Sequence, residues 1–296
     1  MSAFFERLFP EKMRGVFRFN SEKSSRNQEL ETRNSDPNTQ MVYHAASCQS
    51  SGRERVHNED TLFVLNSAID GLNAPVSFGL YLVADGMGGH QSGEVASSLA
   101  VQATSQYLME NVFSNFVFEQ QSFSENEITK FLKNAVDEAQ KLVSRRVPGG
   151  GTTLTLVMVL GEQCFYAHVG DCRLYFIDFE GNLTLKTRDH SLVKRLIDLG
   201  EISENEASSH PQRNVLYRAL GQSDPFEPDI GQFSLSKGER IMICSDGLWG
   251  VLEESQISTI LKKKNEIEQA ACALVKAANE SGGPDNISLI LVKRLV

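Results

Sequence analysis

The sequence predicts a layered α+β domain in which helices cover antiparallel sheets. Three apolar segments, residues 152–160, 163–169 and 173–178, are separated only by short turns. Closely spaced strands of this kind are typical of an antiparallel meander. Amphipathic helices lie before and after the strands in blocks, which is unlike the regular strand–helix alternation of a doubly wound parallel sheet.

The remaining elements follow from hydrophobic periodicity. Further strands are predicted at residues 78–84, 240–244 and 287–292, and helices at 93–111, 125–146, 253–263 and 266–280. Residues 190–225 are polar with weak helical patches, so we expect a surface lobe there.

Composition excludes several functional classes. The chain has 296 residues, a formal net charge of -9 and a pI near 5.3, which argues against nucleic acid as its main partner. No apolar run reaches the ~18 residues that a transmembrane helix needs. The five cysteines include no CxxC pair. We therefore expect neither a zinc site nor a disulfide framework, and a reducing, cytoplasmic location.

The first 40 residues differ from the rest. Residues 20–40 contain one leucine and no aromatic residue, which predicts a flexible linker. Before the linker, apolar residues recur at helical spacing and Pro10 interrupts them. Two interpretations stay open: an amphipathic anchor for a membrane surface or partner, and an extension that is docked on the domain or partly disordered. The predicted domains are thus 1–40 and 41–296.

Acidic residues recur at the predicted strand ends, beside glycine or another polar residue. They are Glu59, Asp60, Asp85, Asp171, Asp246 and Asp285. Strand ends allow side chains to converge at one rim of a sheet, and oxygen ligands select hard cations such as Mg²⁺ or Mn²⁺. A plain turn is the favoured explanation of any single Asp-Gly pair. Spacing alone therefore leaves metal binding and simple turns as alternatives.

Seven short motifs occur in a fixed order: RVHNED (55–60), VADGMGGH (83–90), GTTLTLVMV (151–159), HVGDCR (168–173), TRDHS (187–191), SDGLWG (245–250) and GGPDNIS (282–288). Together they resemble the metal-dependent type 2C serine/threonine protein phosphatases in their compact bacterial form. The resemblance covers residues 41–294. It implies a four-layer α-β-β-α sandwich, with two antiparallel sheets flanked by helices.

The resemblance also implies two Mn²⁺ or Mg²⁺ ions per subunit and a possible third. Asp85 would bridge the two ions, with the Gly86 carbonyl as a further ligand. Asp246 and Asp285 would complete the first ion. The second ion would be bound by Glu59, with Asp60 acting directly or through water, and Asp171 would serve the third.

Substrate and mechanism follow from the same resemblance. A hydroxide bridging the two ions would attack phosphoserine or phosphothreonine without a phosphoenzyme. Arg55 would bind the substrate phosphate, and Asn286 would orient Asp285 or a bound water. Residues 195–222 would form a flap over the site. Phosphorylated proteins would be the substrates, a serine/threonine kinase would oppose the enzyme, and the chain would be a monomer.

The sequence departs from the family pattern in places. Ser50 stands where the bacterial pattern often has aspartate, and Cys172 replaces a commoner serine as a packing residue. Met87 follows Asp85-Gly86 where animal forms carry a histidine proposed as leaving-group acid, which leaves the proton donor undefined. His90 could contribute, although a structural role is favoured. A structural role is also expected for His190 in the DHS motif, and Trp249 is expected in the core.

Two other functions stay open at this point. A binding-only pseudophosphatase would keep the fold, but Asp85, Asp246 and Asp285 are all present, and pseudoenzymes commonly lose such an acid. The other is a metal-dependent hydrolase or nuclease that acts on another phosphate ester. The acidic net charge argues against a nucleic-acid substrate.

Overall fold

A computed structural model describes residues 42–70, 75–88, 91–119, 121–222, 226–264 and 266–295. The predicted N-terminal extension (1–40) and His90 lie outside the described residues.

Two five-stranded antiparallel sheets form the centre of the described structure. The first has the order β1-β12-β11-β8-β9, formed by Tyr43–Ser50, Ile287–Arg294, Arg240–Cys244, Arg173–Ile177 and Leu183–Leu185. The second has the order β10-β7-β6-β3-β2, formed by Asp229–Ser234, Gln163–Val169, Leu154–Leu160, Pro75–Ala84 and Thr61–Asp70. Two short strands, β4 (Gly86–Met87) and β5 (Gly151–Thr152), pair separately at the end of β3.

Helices flank both sheets. In chain order they are α1 (Gln91–Leu108), α2 (Glu125–Arg146), α3 (Leu192–Asp198), α4 (Glu204–Ser208), α5 (Asp246–Trp249), α6 (Glu254–Lys263) and α7 (Ile267–Glu280). Helix α2 begins with a capping box between Ser124 and Glu127 and matches its predicted bounds. None of the helices in the described ranges is long and apolar enough to cross a membrane.

Burial shows how the layers pack. Apolar side chains from both sheets, such as Tyr81, Val157 and Ile290, form one buried cluster between them. A second cluster lies between the first sheet and helices α6 and α7, and it includes Leu274 and Leu289. Helices α1 and α2 cover the second sheet. The predicted α-β-β-α sandwich is confirmed.

The predicted three-stranded meander was wrong in its last strand. Strands β6 and β7 pair as expected, but β8 pairs with β11 in the other sheet, where Arg173 lies opposite Cys244. Gly170, with a φ of 107°, begins the crossover, and a Cβ at this position would lie 2.5 Å from Thr153. Hydrophobic periodicity identifies a strand but not its partner, and here the partner lies in the opposite sheet.

The helix predicted at 93–111 was too short. Helix α1 continues directly into a π-helical segment, Met109–Phe118. There the Asn111 side chain donates to Tyr107 O and the Asn115 side chain donates to Asn111 O, at 2.8 and 3.1 Å. Such bonds to the backbone accompany the altered helical pattern.

Strand β10 was not predicted, because Gly231 interrupts its short apolar pattern.

Truncating the core beneath α7 should destabilise the domain. Leu274 is fully buried, so we expect Leu274→Ala to lower the free energy of unfolding by about 2–5 kcal/mol. Leu199 is 65% exposed, and the same change there should alter stability by less than ~0.5 kcal/mol. Urea unfolding monitored by circular dichroism measures both. Equal losses in the two variants would contradict the burial described here.

Candidate functional site

The loop after β1 carries three of the predicted site residues and is held by Asn286. The Asn286 side chain donates to Ser51 O at 3.0 Å and to His57 O at 2.9 Å, and its Oδ1 accepts from the Glu59 backbone N–H at 2.8 Å. Its own backbone N–H donates to Asp285 Oδ1 at 2.8 Å. One buried amide therefore fixes the loop and also contacts a predicted ligand.

Arg55 and Asp285 meet at the outer edge of the site. Arg55 Nη2 lies 2.8 Å from Asp285 Oδ2, with side chains that are 52% and 32% exposed. The backbone packs closely beneath this pair, because a Cβ on Gly52 (φ 77°) would lie 2.2 Å from Asp285 O. The guanidinium is therefore anchored at one nitrogen while much of its surface remains open to solvent.

Asp85 directly follows β3. Its backbone N–H donates to Thr153 Oγ1 at 2.8 Å, and its carbonyl accepts from Thr152 Oγ1 at 2.8 Å and from the Thr153 backbone N–H at 2.9 Å. The next residue, Gly86, passes so close to Gly93 that a Cβ would lie 2.2 Å from Gly93 O. Only glycine fits here.

Asp60 and Asp246 face the interior from two other chain segments. Ser245, at the end of β11, donates from Oγ to Asp60 Oδ2 at 2.9 Å. Asp246 begins α5, and a Cβ on the following Gly247 would lie 2.0 Å from Asn286 O. Among the residues that the structure describes, Asp60 Oδ1 and Asp246 Oδ1 are buried carboxylate oxygens without a hydrogen-bond partner. Two acceptors in this state are costly unless a cation or water binds them.

The carboxylates act on one another electrostatically. Burial and then the neighbouring carboxylates raise the pKa of Asp85 well above its usual range. Burial is also the main cause that raises the pKa of Asp171, followed by the charge of Asp246. The pKa of Asp60 rises to about 7 and that of Asp246 to about 6, with burial again dominant and nearby acids contributing. The fold therefore gathers acids whose ionised forms are disfavoured without a positive charge.

The donor set fits hard divalent cations. It consists of carboxylate oxygens, two of them buried and unpartnered, and such oxygens suit Mg²⁺ or Mn²⁺. Across residues 42–295, wherever the structure describes them, no group of three or more acidic, histidine or cysteine side chains is positioned to hold an ion by itself. An ion at this site would therefore need water ligands, backbone carbonyls or small side-chain movements to complete its coordination.

Asp171 lies in the crossover between the sheets, next to residues that the sequence did not point to. Trp249 Nε1 donates to Asp171 O at 3.0 Å, and the Arg173 guanidinium lies 3.6 Å from the Trp249 ring centre. Arg173 also forms a bidentate pair with the buried Asp189, at 3.1 and 2.8 Å. The expectation that Trp249 is a core residue was thus only partly correct. The ring is partly buried, and its N–H also holds the Asp171 backbone.

Comparison with known proteins identifies the family to which the chain belongs. Residues 58–291 match the family model described as protein phosphatase 2C. The serine/threonine phosphatase stp of Listeria welshimeri is 36% identical over 253 residues, covering 85% of this chain and 96% of the relative. The chain belongs to the protein phosphatase 2C family. As a member of that family it is a phosphatase, as the motifs predicted.

Solved structures agree with this membership. A Streptococcus agalactiae serine/threonine phosphatase superposes with a TM-score of 0.73 at 30% identity, covering 85% of this chain and 99% of that one. The catalytic domain of the serine threonine protein phosphatase PstP, solved in complex with two manganese ions, has a TM-score of 0.69 at 29% identity, covering 86% and 99%.

The structure also gives environments for the residues at which this phosphatase departs from the family pattern. Ser50 Oγ accepts from the Gly52 backbone N–H at 3.1 Å, so it caps the turn where other members often have aspartate. Cys172 is buried and lies 3.1 Å from Thr153 Oγ1. His190 is buried, and its Nδ1 accepts from the Gly170 backbone N–H at 3.1 Å, which confirms the structural role expected for it.

Loss of the Asn286 amide should loosen the loop that carries Arg55 and Glu59. We expect Asn286→Ala to lower stability by roughly 3 kcal/mol, because three hydrogen bonds to backbone groups are lost. Hydrogen exchange should also become faster across residues 51–60. Asn134→Ala, which removes a side-chain bond to Tyr107 OH, is the control and should leave that loop unchanged. Unaltered hydrogen exchange in the Asn286 variant would show that the Asn286 side chain does not hold the loop.

Proposed function

We propose that this phosphatase hydrolyses phosphoserine and phosphothreonine in proteins by attack of a hydroxide that bridges two divalent metal ions. Serine/threonine protein phosphatase activity is supported by the family match and by relatives named for it. The ions would be Mn²⁺ or Mg²⁺ and would supply a nucleophile at neutral pH together with charge neutralisation.

One observation carries the proposal. Asp60, Asp85, Asp246 and Asp285 come from four separate chain segments, yet the charges of Asp60, Asp246 and Asp285 all raise the pKa of Asp85. Two of their buried oxygens have no hydrogen-bond partner in the described part of the chain. Convergence of several carboxylates is expected where cations bind.

The proposed assignment divides the acids between the ions. Asp85 would bridge the two ions, with the Gly86 carbonyl as a further ligand, since the pKa of Asp85 is raised by the charges of all the other aspartates in the set. The first ion would also be held by Asp246 and Asp285, the second by Glu59 and Asp60, and a third by Asp171.

Arg55 would bind the substrate phosphate. Its guanidinium is planar and permanently charged, and it forms two parallel bonds with phosphate oxygens well. The side chain is 52% exposed and only Nη2 contacts Asp285. The rest of the fork is therefore available to a phosphate at the edge of the site. Asn286 would act by holding the Arg55 loop and Asp285 in place.

Several broader features complete the proposal. Residues 1–40 would form an extension to a catalytic domain at 41–296, and residues 195–222 would form a flap that influences substrate choice. The enzyme would be a cytoplasmic monomer that opposes a serine/threonine kinase.

Removing the bridging carboxylate should abolish activity. We expect Asp85→Ala to lower Mn²⁺-stimulated hydrolysis of a phosphothreonine peptide below about one-thousandth of the wild-type rate, since the site would lose a shared ligand. Circular dichroism checks that the fold is retained. Asp137→Ala, at a half-buried position of α2 outside the site, serves as control. Wild-type turnover by a folded Asp85 variant would overturn the assignment.

The same assay separates the alternatives. A phosphatase hydrolyses both the peptide and p-nitrophenyl phosphate in Mn²⁺. A pseudophosphatase hydrolyses neither while remaining folded. A hydrolase for other phosphate esters acts on p-nitrophenyl phosphate but not on the peptide.

Replacing Asp246 by its neutral amide should stabilise the cation-free protein but weaken its stabilisation by Mn²⁺. The pKa of Asp246 is raised in the folded state from 3.8 to about 6, so its ionisation costs stability, and that cost develops as pH rises from the lower value to the higher one. We expect Asp246→Asn to raise the melting temperature of the cation-free protein at pH 8 by a few degrees, and by less at pH 5.

At pH 8 in the presence of Mn²⁺, the wild type should have a higher melting temperature than Asp246→Asn. The wild type gains about 2.7 kcal/mol at a hundredfold excess over Kd, whereas Asp246→Asn gains much less. Asp137→Asn should behave as the wild type in both conditions. Equal Mn²⁺ stabilisation of wild type and Asp246→Asn would remove Asp246 from the ligand set.

Arg55 should affect substrate binding more than metal binding. We expect Arg55→Ala to raise KM about 10–100-fold, because charge-assisted hydrogen bonds to the substrate phosphate are lost. Stabilisation by Mn²⁺ should be retained. Arg55→Lys should recover part of the loss, because it keeps the charge but not the planar fork. A collapse of Mn²⁺ stabilisation in both variants would instead assign Arg55 a structural role.

A further inference from the structure

Two cysteines that are far apart in the sequence meet on the face of the first sheet that α7 covers. Cys48 lies in β1 and Cys272 in α7, 224 positions apart, and Cys48 Sγ donates to Cys272 Sγ across 3.4 Å. The same strand and helix also meet where His44 Nε2 lies 2.7 Å from Glu268 Oε1. Because Glu268 and Cys272 are four residues apart, they lie on one face of α7. The thiol contact is thus part of an extended strand–helix interface.

The two sulfurs differ in environment. Cys272 is exposed and Cys48 is partly buried, while Cys164, Cys172 and Cys244 are buried. Burial, followed by the bond to Cys272, raises the pKa of the Cys48 thiol to about 11. Cys272 is therefore the sulfur that an oxidant in solution reaches first, and Cys48 is a protonated neighbour at contact distance. An exposed thiol beside a second thiol is the arrangement found at redox-sensitive sites.

We propose that Cys48 and Cys272 form a peroxide-sensitive dithiol that closes to an intramolecular disulfide. The Cys272 thiolate attacks hydrogen peroxide, which gives a sulfenic acid and hydroxide. Cys48 sulfur then attacks the Cys272 sulfur, the S–O bond breaks, and water leaves with the Cys48 proton. In total, two thiols lose two electrons and two protons, and one peroxide is reduced to two waters. Closing the bond needs the sulfurs to approach from 3.4 Å to ~2.05 Å, which side-chain rotation can supply.

The bond would join the two chain segments that lead to Arg55 and Asp285. Strand β1 ends at Ser50, immediately before the loop of residues 51–60, and α7 ends at Glu280, just before Asp285. These segments also touch where the Arg53 backbone N–H donates to Gly283 O at 2.7 Å. A crosslink across a long loop restricts the unfolded chain strongly. The oxidised protein should therefore melt at a higher temperature.

Peroxide treatment of the reduced, full-length protein tests the proposal. After oxidation, free thiols are blocked with N-ethylmaleimide under denaturing conditions and the protein is digested for mass spectrometry. We expect one linked Cys48–Cys272 peptide pair, a monomeric product that has lost two hydrogen atoms, and three alkylated cysteines. The melting temperature should rise by about 5 °C or more, and dithiothreitol should reverse the rise.

Single variants distinguish this outcome from general oxidation. In Cys48→Ser, Cys272 should progress to sulfinic acid or an intermolecular disulfide, with no rise in melting temperature. Cys272→Ser should leave Cys48 reduced, and Cys164→Ala should still form the bond. The proposal is overturned if the wild type yields Cys272 sulfinic acid with Cys48 still reduced, only covalent dimers, or no reaction under conditions that oxidise an exposed thiol.

Discussion

The site depends on mutual repulsion among buried carboxylates. Asp60, Asp85, Asp171 and Asp246 all have raised pKa values, chiefly because they are buried and then because each faces other acids. The surrounding sheets bury enough apolar surface to hold them together despite this cost. A divalent cation bound among these carboxylates would offset both the burial and the repulsion of their charges. The fold and the affinity for cations are therefore linked through the same few side chains.

Close backbone approach is the second requirement. Gly86 lies against Gly93, and Gly247 against Asn286, at distances that leave no room for a Cβ. These contacts bring the end of β3 next to the start of α1, and the start of α5 next to the segment before β12. A Cβ at either glycine would push these segments apart. The glycines beside the acidic residues are thus determinants of the site geometry as much as of the turns.

The sequence allowed much of this arrangement to be predicted, because local signals determine it. The capping box of α2 and the apolar run of β3 identify those elements directly. The partner of β8 could not be predicted, since its apolar pattern fits either sheet. Asp189 and its bond to Arg173 were also missed, because a buried ion pair between separate segments leaves no periodic signal. Motif order identified the acids, but their electrostatic coupling required the fold.

The Arg55–Asp285 pair connects the two kinds of binding that the proposed function requires. Asp285 Oδ2 accepts from Arg55, while Oδ1 accepts from the Asn286 backbone. In the proposed function Asp285 would also contact a cation, which would weaken the attraction of its carboxylate for the Arg55 guanidinium. A guanidinium that loses part of its anionic partner gains affinity for a phosphate. Linkage requires the effect to be reciprocal, so bound phosphate should also increase the affinity for cations. Substrate and metal are thus expected to bind cooperatively through Asp285, without any movement of the sheets.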